Sequence, residues 1–217
     1  MYDQVCPDRM NPARAVPLPA AGQGRLRPYS PGERAAILDV LGRDQGIGPR
    51  FDLAVVAVLA GTGIRRLELL AARTADLDVD TGVLLVRDGP TGERTVPLPV
   101  GTAEVLAHYL AEVRPHCPTS SRLFANPRAR FDGAGYGRLQ PLGAGDIVRR
   151  AGDQAGVEGP RTCRRWRTTA SIGLLRAGVS VQEVQGRLGH GDRATTAGYL
   201  RFLDDRPGAW PACSQVD

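Results

Sequence analysis

Leu188-Gly189-His190-Gly191-Asp192-Arg193-Ala194-Thr195-Thr196-Ala197-Gly198-Tyr199 decides how the chain is read. Gly189 ends one predicted helix and Asp192 can cap the next, which carries Tyr199. The turn between them could bring an imidazole and a phenol to one phosphate. Ser180-Val181-Gln182-Glu183 upstream is a capping box that opens the first of these helices. Before it, Arg164 to Arg176 has a helical pattern that stops at Ala177-Gly178.

Further out, Ser30-Pro31-Gly32-Glu33 marks a helix start, with Ser30 as cap, Pro31 at the first turn and Glu33 three residues on. Phe51 to Leu59 is an apolar run long enough for a buried helix, broken at Gly61-Thr62-Gly63. In the helix that follows, Leu67, Leu69 and Leu70 are expected to point inward. Val83-Leu84-Leu85-Val86 and Thr95-Val96-Pro97-Leu98 flank a glycine turn, which predicts a hairpin with Pro97 on an edge. Thr102 is expected to cap a helix to about Val113, and Gly145 to Ala155 another. Leu123-Phe124-Ala125 reads as a short strand, and residues 127–143 as an arginine- and glycine-rich loop. The expected fold is mainly α with a small antiparallel β-sheet (α+β). Residues 1–27 read as a flexible arm, 28–203 as one domain and 204–217 as a tail.

The net charge of +5 favours a polyanionic partner. The chain has no lysine, so all 28 basic residues are arginines. Arginine number then reflects composition, and only arginine position carries weight. There is no run of eighteen apolar residues, and no basic-then-apolar start at Met1-Tyr2-Asp3-Gln4. No membrane partner and a cytoplasmic location are expected. Cys6, Cys117, Cys163 and Cys213 are scattered and read as free thiols, with no metal site.

Cleavage of a phosphodiester by transesterification needs a nucleophile, positive charge for the non-bridging oxygens and an acid for the leaving oxygen. Guanidinium forks suit the phosphate oxygens. Taken singly, the candidates have plainer roles. Tyr199 would be a partly buried core tyrosine, His190 a cap on its helix, and Arg65 with Arg66 a solvated face. Arg161, Arg164, Arg165 and Arg167 make a weak basic patch, with Trp166 among them either stacking or filling the core.

Taken in order, the residues resemble the catalytic domain of the tyrosine recombinases, the phage integrase family. Thr62-Gly63-Ile64-Arg65-Arg66-Leu67-Glu68-Leu69 is similar to the family's first arginine box. Arg167-Thr168-Thr169-Ala170-Ser171 through Val179 is similar to the second, and Val184 through Tyr199 to the third. The resemblance implies Arg65, Arg167, His190 and Tyr199 as catalytic residues, with Glu68 as the acid of the first box. It implies double-stranded DNA as partner, an oligomer assembled on DNA, no small-molecule substrate, and no metal or other cofactor. Arg66, Arg87, Arg94, Arg161 and Arg165 are the expected DNA contacts.

Two positions depart from the family. Gly89 stands in the hairpin turn where the family has a lysine, and Arg164 where it has a histidine. Family members also carry a helical core-binding domain ahead of the catalytic one, where some 28 residues are expected here. The expected activity is DNA cleavage and rejoining through a 3′-phosphotyrosyl bond at Tyr199. The alternative is a non-catalytic DNA-binding relative, or a remnant of a mobile-element integrase.

Overall fold

The computed structural model describes residues 27–118, 120–128, 139–189 and Tyr199. Helix α1 spans Pro31–Arg43, α2 Ile47–Thr62 and α3 Arg66–Ala71. Strands β1 (Leu77–Asp78), β2 (Val83–Val86) and β3 (Arg94–Pro97) follow. Helices α4 (Val100–His108), α5 (Pro141–Gln154), α6 (Cys163–Arg176) and α7 (Val181–Leu188) complete the described part. The expected mainly helical fold with one small sheet is what the chain adopts. The predicted arm up to residue 26, the loop core at 129–138, His190, the cap at Asp192 and the tail lie outside the described residues.

Helix α2 is the central element. Phe51, Ala54, Val55, Val56, Val58 and Leu59 are all buried, so its apolar surface runs most of the way round. It packs against α1, α4, α5 and α6. Asp52, on this buried helix, is compensated by a fork from Arg128 (2.7 and 3.0 Å) and a bond from Arg150 at 3.3 Å.

The sheet has the order β1-β2-β3 and is antiparallel throughout. Pro97 falls on the outer strand β3, where a missing N–H costs no ladder bond. Leu84 pairs with Val96 and Val86 with Arg94, so all four share one face. Leu84, Val86 and Val96 are buried, and Arg94 therefore turns its side chain toward the protein body.

Several local expectations are corrected. Leu67 is 65% exposed while Leu69 and Leu70 are buried, because α3 has only six residues and buries one side. Thr102 is a buried third residue of α4, whose cap is Pro99. That helix runs on through a π turn at Tyr109–Val113. Residues 123–125 form no strand. The Leu123 amide donates to the Ala72 carbonyl (2.9 Å) and its own carbonyl accepts from the Tyr109 hydroxyl (2.8 Å), so tertiary bonds replace a ladder. Helix α5 starts four residues earlier than expected, with Pro141 in its first turn.

Residues 27–33 are fastened to α6. The Tyr29 amide donates to Thr169 Oγ1 at 2.8 Å, and the Tyr29 ring lies 4.4 Å from that of Trp166. Trp166 is fully buried and fills the core. Arg165 stacks 3.9 Å over the Tyr29 ring and forks onto Glu33 at 2.8 and 2.9 Å. It also donates to the carbonyls of Arg27, Pro28, Glu158 and Pro160. This corrects the expectation of a DNA contact, since all its donor groups face inward.

Burial pushes the Glu33 carboxyl up, but the Ser30 amide and Arg165 outweigh it and hold the group below its ordinary value. Its unfolded pKa is about 4.3. The unfolded chain therefore binds the proton first on acidification. The stabilisation is complete above the unfolded value and fades as pH falls through the lower folded value. Urea unfolding is expected to show Arg165→Ala destabilised by about 3–5 kcal/mol, the cost of stranding a buried partner. In Glu33→Gln, the loss of stability below about pH 4.3 should be shallower than in the wild type.

Candidate active site

The site grows from two helix ends. Helix α2 stops at Gly63 (φ +64°) and α7 at Gly189 (φ +65°), both left-handed. A Cβ at Gly63 would lie 2.8 Å from Ala170 Cβ and 2.9 Å from Leu188 Cδ2. Glycine there lets the α2–α3 corner close onto α6 and α7. Helix ends leave carbonyls without intrahelical partners, and the arginines take them.

Arg65 caps α3 and donates Nη2 to the Gly189 carbonyl at 2.5 Å. Arg167, on α6, donates Nη1 to the Gly63 carbonyl (2.9 Å) and Nη2 to the Leu188 carbonyl (2.6 Å). The two arginines of the first and second boxes thus converge on the Leu188–Gly189 turn. His190, the next residue in sequence, lies outside the described residues.

Glu68 is the acid that binds this cluster together. Its Oε2 accepts from the Arg65 amide at 2.7 Å and its Oε1 from Arg65 Nη1 at 3.1 Å. Arg94 forks onto both oxygens at 3.0 and 2.8 Å. Burial pushes the Glu68 carboxyl up, but the bonds from Arg94 and the Arg65 amide, with both charges, hold it below the ordinary glutamate range. It is ionised at neutral pH.

Three guanidinium groups around one carboxylate leave an excess of positive charge. Burial and the neighbouring charge of Arg65 pull Arg167 down to about 10, against the opposing pull of Glu68 and Tyr199. An arriving dianion or monoanion would relieve that crowding.

Tyr199 is buried and shares an apolar cluster with Ile172, Leu175, Val184 and Leu188. Its plain reading as a packed tyrosine and its place beside Arg167 hold together: the ring packs on α6 and α7, and the phenol lies within electrostatic reach of the guanidinium.

The two departing positions have different surroundings. Gly89 lies in the hairpin turn, where a Cβ would be 2.6 Å from Arg94 Nη1 and 3.4 Å from Glu68 Oε1. Arg164 is exposed on the first turn of α6. Arg66 is exposed too, and its charge opposes the upward push of burial on the Cys163 thiol, which places it beside the start of α6. Arg66 and Arg164 are thus both exposed at helix starts.

Arg87, Arg161 and Arg94, the other expected DNA contacts, also make bonds within the fold. Arg87 bonds Asp76 at 2.6 Å, with half its side chain still exposed. Arg161 reaches the Val157 and Gly159 carbonyls and Asp153. Arg94 is turned inward, which the alternation Arg94, Val96, Leu98 against Thr95 and Pro97 signals in the sequence. The acidic anchor Glu68 also carries a sequence signal, three residues after the Arg65 cap. Among the described residues no group of His, Cys, Asp or Glu is placed to hold a metal ion. No helix among them is long and apolar enough to cross a membrane.

Comparison with known proteins gives the geometry its context. Residues 36–206 match the phage integrase family. A putative integrase/recombinase of Sinorhizobium fredii is 33% identical over 192 residues, covering 87% of this chain and 45% of the relative. Tyrosine recombinase XerA of Thermococcus kodakarensis is 30% identical over 151 residues, covering 69% of this chain and 50% of the relative. The chain thus spans about half the length of the curated relatives it matches. The crystal structure of XerA recombinase superposes with a TM-score of 0.71 at 24% identity, covering 89% of this chain and 70% of that one. XerH recombinase in a post-cleavage complex with its difH substrate gives 0.72 at 21% identity, covering 87% and 53%. At these identities the structures speak for the fold. The matched span holds both boxes that converge on the Leu188–Gly189 turn together with Tyr199, and the chain belongs to the phage integrase family, with the catalytic-domain fold of the tyrosine recombinases.

Proposed function

We propose that this chain is a site-specific DNA recombinase in which residues 28–203 form the catalytic domain and Tyr199 is the nucleophile. The observation that carries the reading is the convergence of Arg65 and Arg167 on the turn that leads into His190. Two carbonyl or carboxylate bonds on each guanidinium use part of its five donors. Further donors remain for the non-bridging oxygens of a phosphodiester.

In the first step the Tyr199 oxygen attacks phosphorus and gives up its proton. The bond from phosphorus to the 5′ oxygen breaks, and that oxygen takes up a proton. The 3′-phosphotyrosyl ester conserves the bond, so the reverse attack by a 5′ hydroxyl rejoins DNA without nucleotide, metal or other cofactor. Arg65 and Arg167 stabilise the charge on the pentacoordinate phosphorus, and His190 donates to the same oxygens. Arg66, Arg164 and the half-exposed Arg87 supply phosphate contacts outside the reacting centre.

XerH bound to difH and a lambda integrase dimer bound to a core site are related folds in complex with DNA. They support double-stranded DNA as the partner and assembly of copies on it, and hence a cytoplasmic place of action. The second reading is a non-catalytic DNA-binding relative. Gly89 and Arg164 favour it, because neither can transfer a proton where the family has lysine and histidine.

A nicked suicide substrate separates the two. The wild type is expected to form a covalent protein–DNA adduct that disappears in Tyr199→Phe, and Arg167→Ala should slow adduct formation by roughly 10²–10³. Absence of any adduct from a wild type that still binds DNA would decide for the non-catalytic relative. DNA affinity should fall as salt rises, and Arg66→Ala and Arg164→Ala should each lower the slope of log affinity against log salt by about 1. Unchanged slopes in both would remove these arginines from the DNA surface.

A further inference from the structure

We propose that Arg94 is the positioning residue of this site, the clamp that holds the Leu188–Gly189 turn at a fixed height above Glu68. The proposal rests on the recombinase reading and adds to it a residue whose place in the resemblance was only that of a DNA contact.

Four observations carry it. Arg94 lies at the end of β3 on the inward face of the sheet, opposite Val86. Its side chain is only 10% exposed. Its guanidinium forks onto Glu68 and at the same time donates Nε to the Arg187 carbonyl (2.9 Å) and Nη2 to the Leu188 carbonyl (3.4 Å). The turn is pressed onto it: a Cβ at Gly189 would be 3.0 Å from both Arg94 Nη1 and Thr91 Oγ1. One planar group thereby joins the hairpin, α3 and the end of α7.

The consequence concerns both catalytic arginines. Arg65 bonds the Gly189 carbonyl and Arg167 the Leu188 carbonyl, the same turn that Arg94 holds from below. If the turn rises, both guanidiniums move with it, and so does the residue that follows Gly189. Arg94 also fills the space beside Gly89, with Nη1 2.6 Å from where a Cβ would be. The hairpin cation of this chain is thus a fixed structural fork from the strand. Bound to a carboxylate and two carbonyls, it acts on the phosphate through Arg65 and Arg167.

The test uses the full chain and three measurements: single-turnover adduct formation at saturating nicked DNA, DNA affinity, and amide hydrogen exchange of residues 181–189. Arg94→Ala is expected to slow adduct formation roughly 10²-fold, as a misplacement of about 1 Å does. Affinity should stay within about twofold, because the buried group contributes little to phosphate contact. Exchange should rise in 181–189 and not in α1 or α2. Arg94→Lys keeps the charge and loses the fork, so it should recover only a small part of the rate.

A purely structural role would lower the melting temperature and leave the rate at 25 °C unchanged, and that result overturns the proposal. Full recovery by Arg94→Lys overturns it too. Should Arg94→Ala fail to fold with Glu68 stranded, Arg94→Ala with Glu68→Gln takes its place under the same criteria. If the wild type forms no adduct, the recombinase reading fails by itself and exchange decides the clamp: faster exchange in 181–189 supports it, unchanged exchange ends it.

Discussion

One buried carboxylate makes the rest of the site possible. Three guanidinium groups cannot share a half-buried place without a counter-charge, because like charges at close range in low dielectric repel by several kcal/mol. Glu68 supplies that charge from α3, ionised and held by Arg94, Arg65 and the Arg65 amide. Its position follows from local structure, three residues past the α3 cap, where the carboxylate also satisfies an orphan N–H. The other acceptors are carbonyls at the ends of α2 and α7, freed by two left-handed glycines. Acid and helix ends together aim the arginines of distant segments at one point.

Much of this was legible from the sequence because helix starts and stops leave local marks. Ser30 with Glu33, Ser180 before α7, Gly63 and Gly189 all do in the structure what their residue types predict. What was not legible depends on tertiary partners. Arg165 reads in the sequence as one of four arginines in seven residues, but Glu33 and Tyr29, 132 and 136 positions away, claim it. Leu67 looked apolar and inward, but α3 is too short to bury every leucine. Residues 123–125 carry strand-like side chains, yet Leu123 donates its amide to the Ala72 carbonyl and its carbonyl accepts from the Tyr109 hydroxyl. Arg94 is an intermediate case, since strand alternation already turns it inward.

The absence of lysine gives these anchors a common chemistry. A guanidinium can fork onto one carboxylate and still reach main-chain carbonyls, which an ammonium group cannot do in a fixed plane. Arg165 on Glu33, Arg128 on Asp52 and Arg94 on Glu68 all use that geometry. These three arginines are therefore structural, and the positive charge of the chain overstates the surface available to a polyanion. Arg66 and Arg164 stand out because they are exposed at the start of two helices that also carry Arg65 and Arg167.

That division bears on what the two departing positions cost. A general acid contributes roughly 10²–10⁴ in rate, and each well-placed oxyanion donor roughly 10²–10³. On the recombinase reading, Gly89 and Arg164 stand where proton-transfer groups would be, because a guanidinium keeps its proton near neutrality and glycine has no side chain. On that same reading Arg65, Arg167 and Tyr199 supply the charge stabilisation and the nucleophile, and the leaving 5′ oxygen draws its proton from water or from His190. On the recombinase reading, the physical expectation is a slow strand-cleaving enzyme whose rate depends on how firmly its phosphate clamp is held. On the proposal made for Arg94, that clamp is held by a fork from the first residue of the edge strand β3.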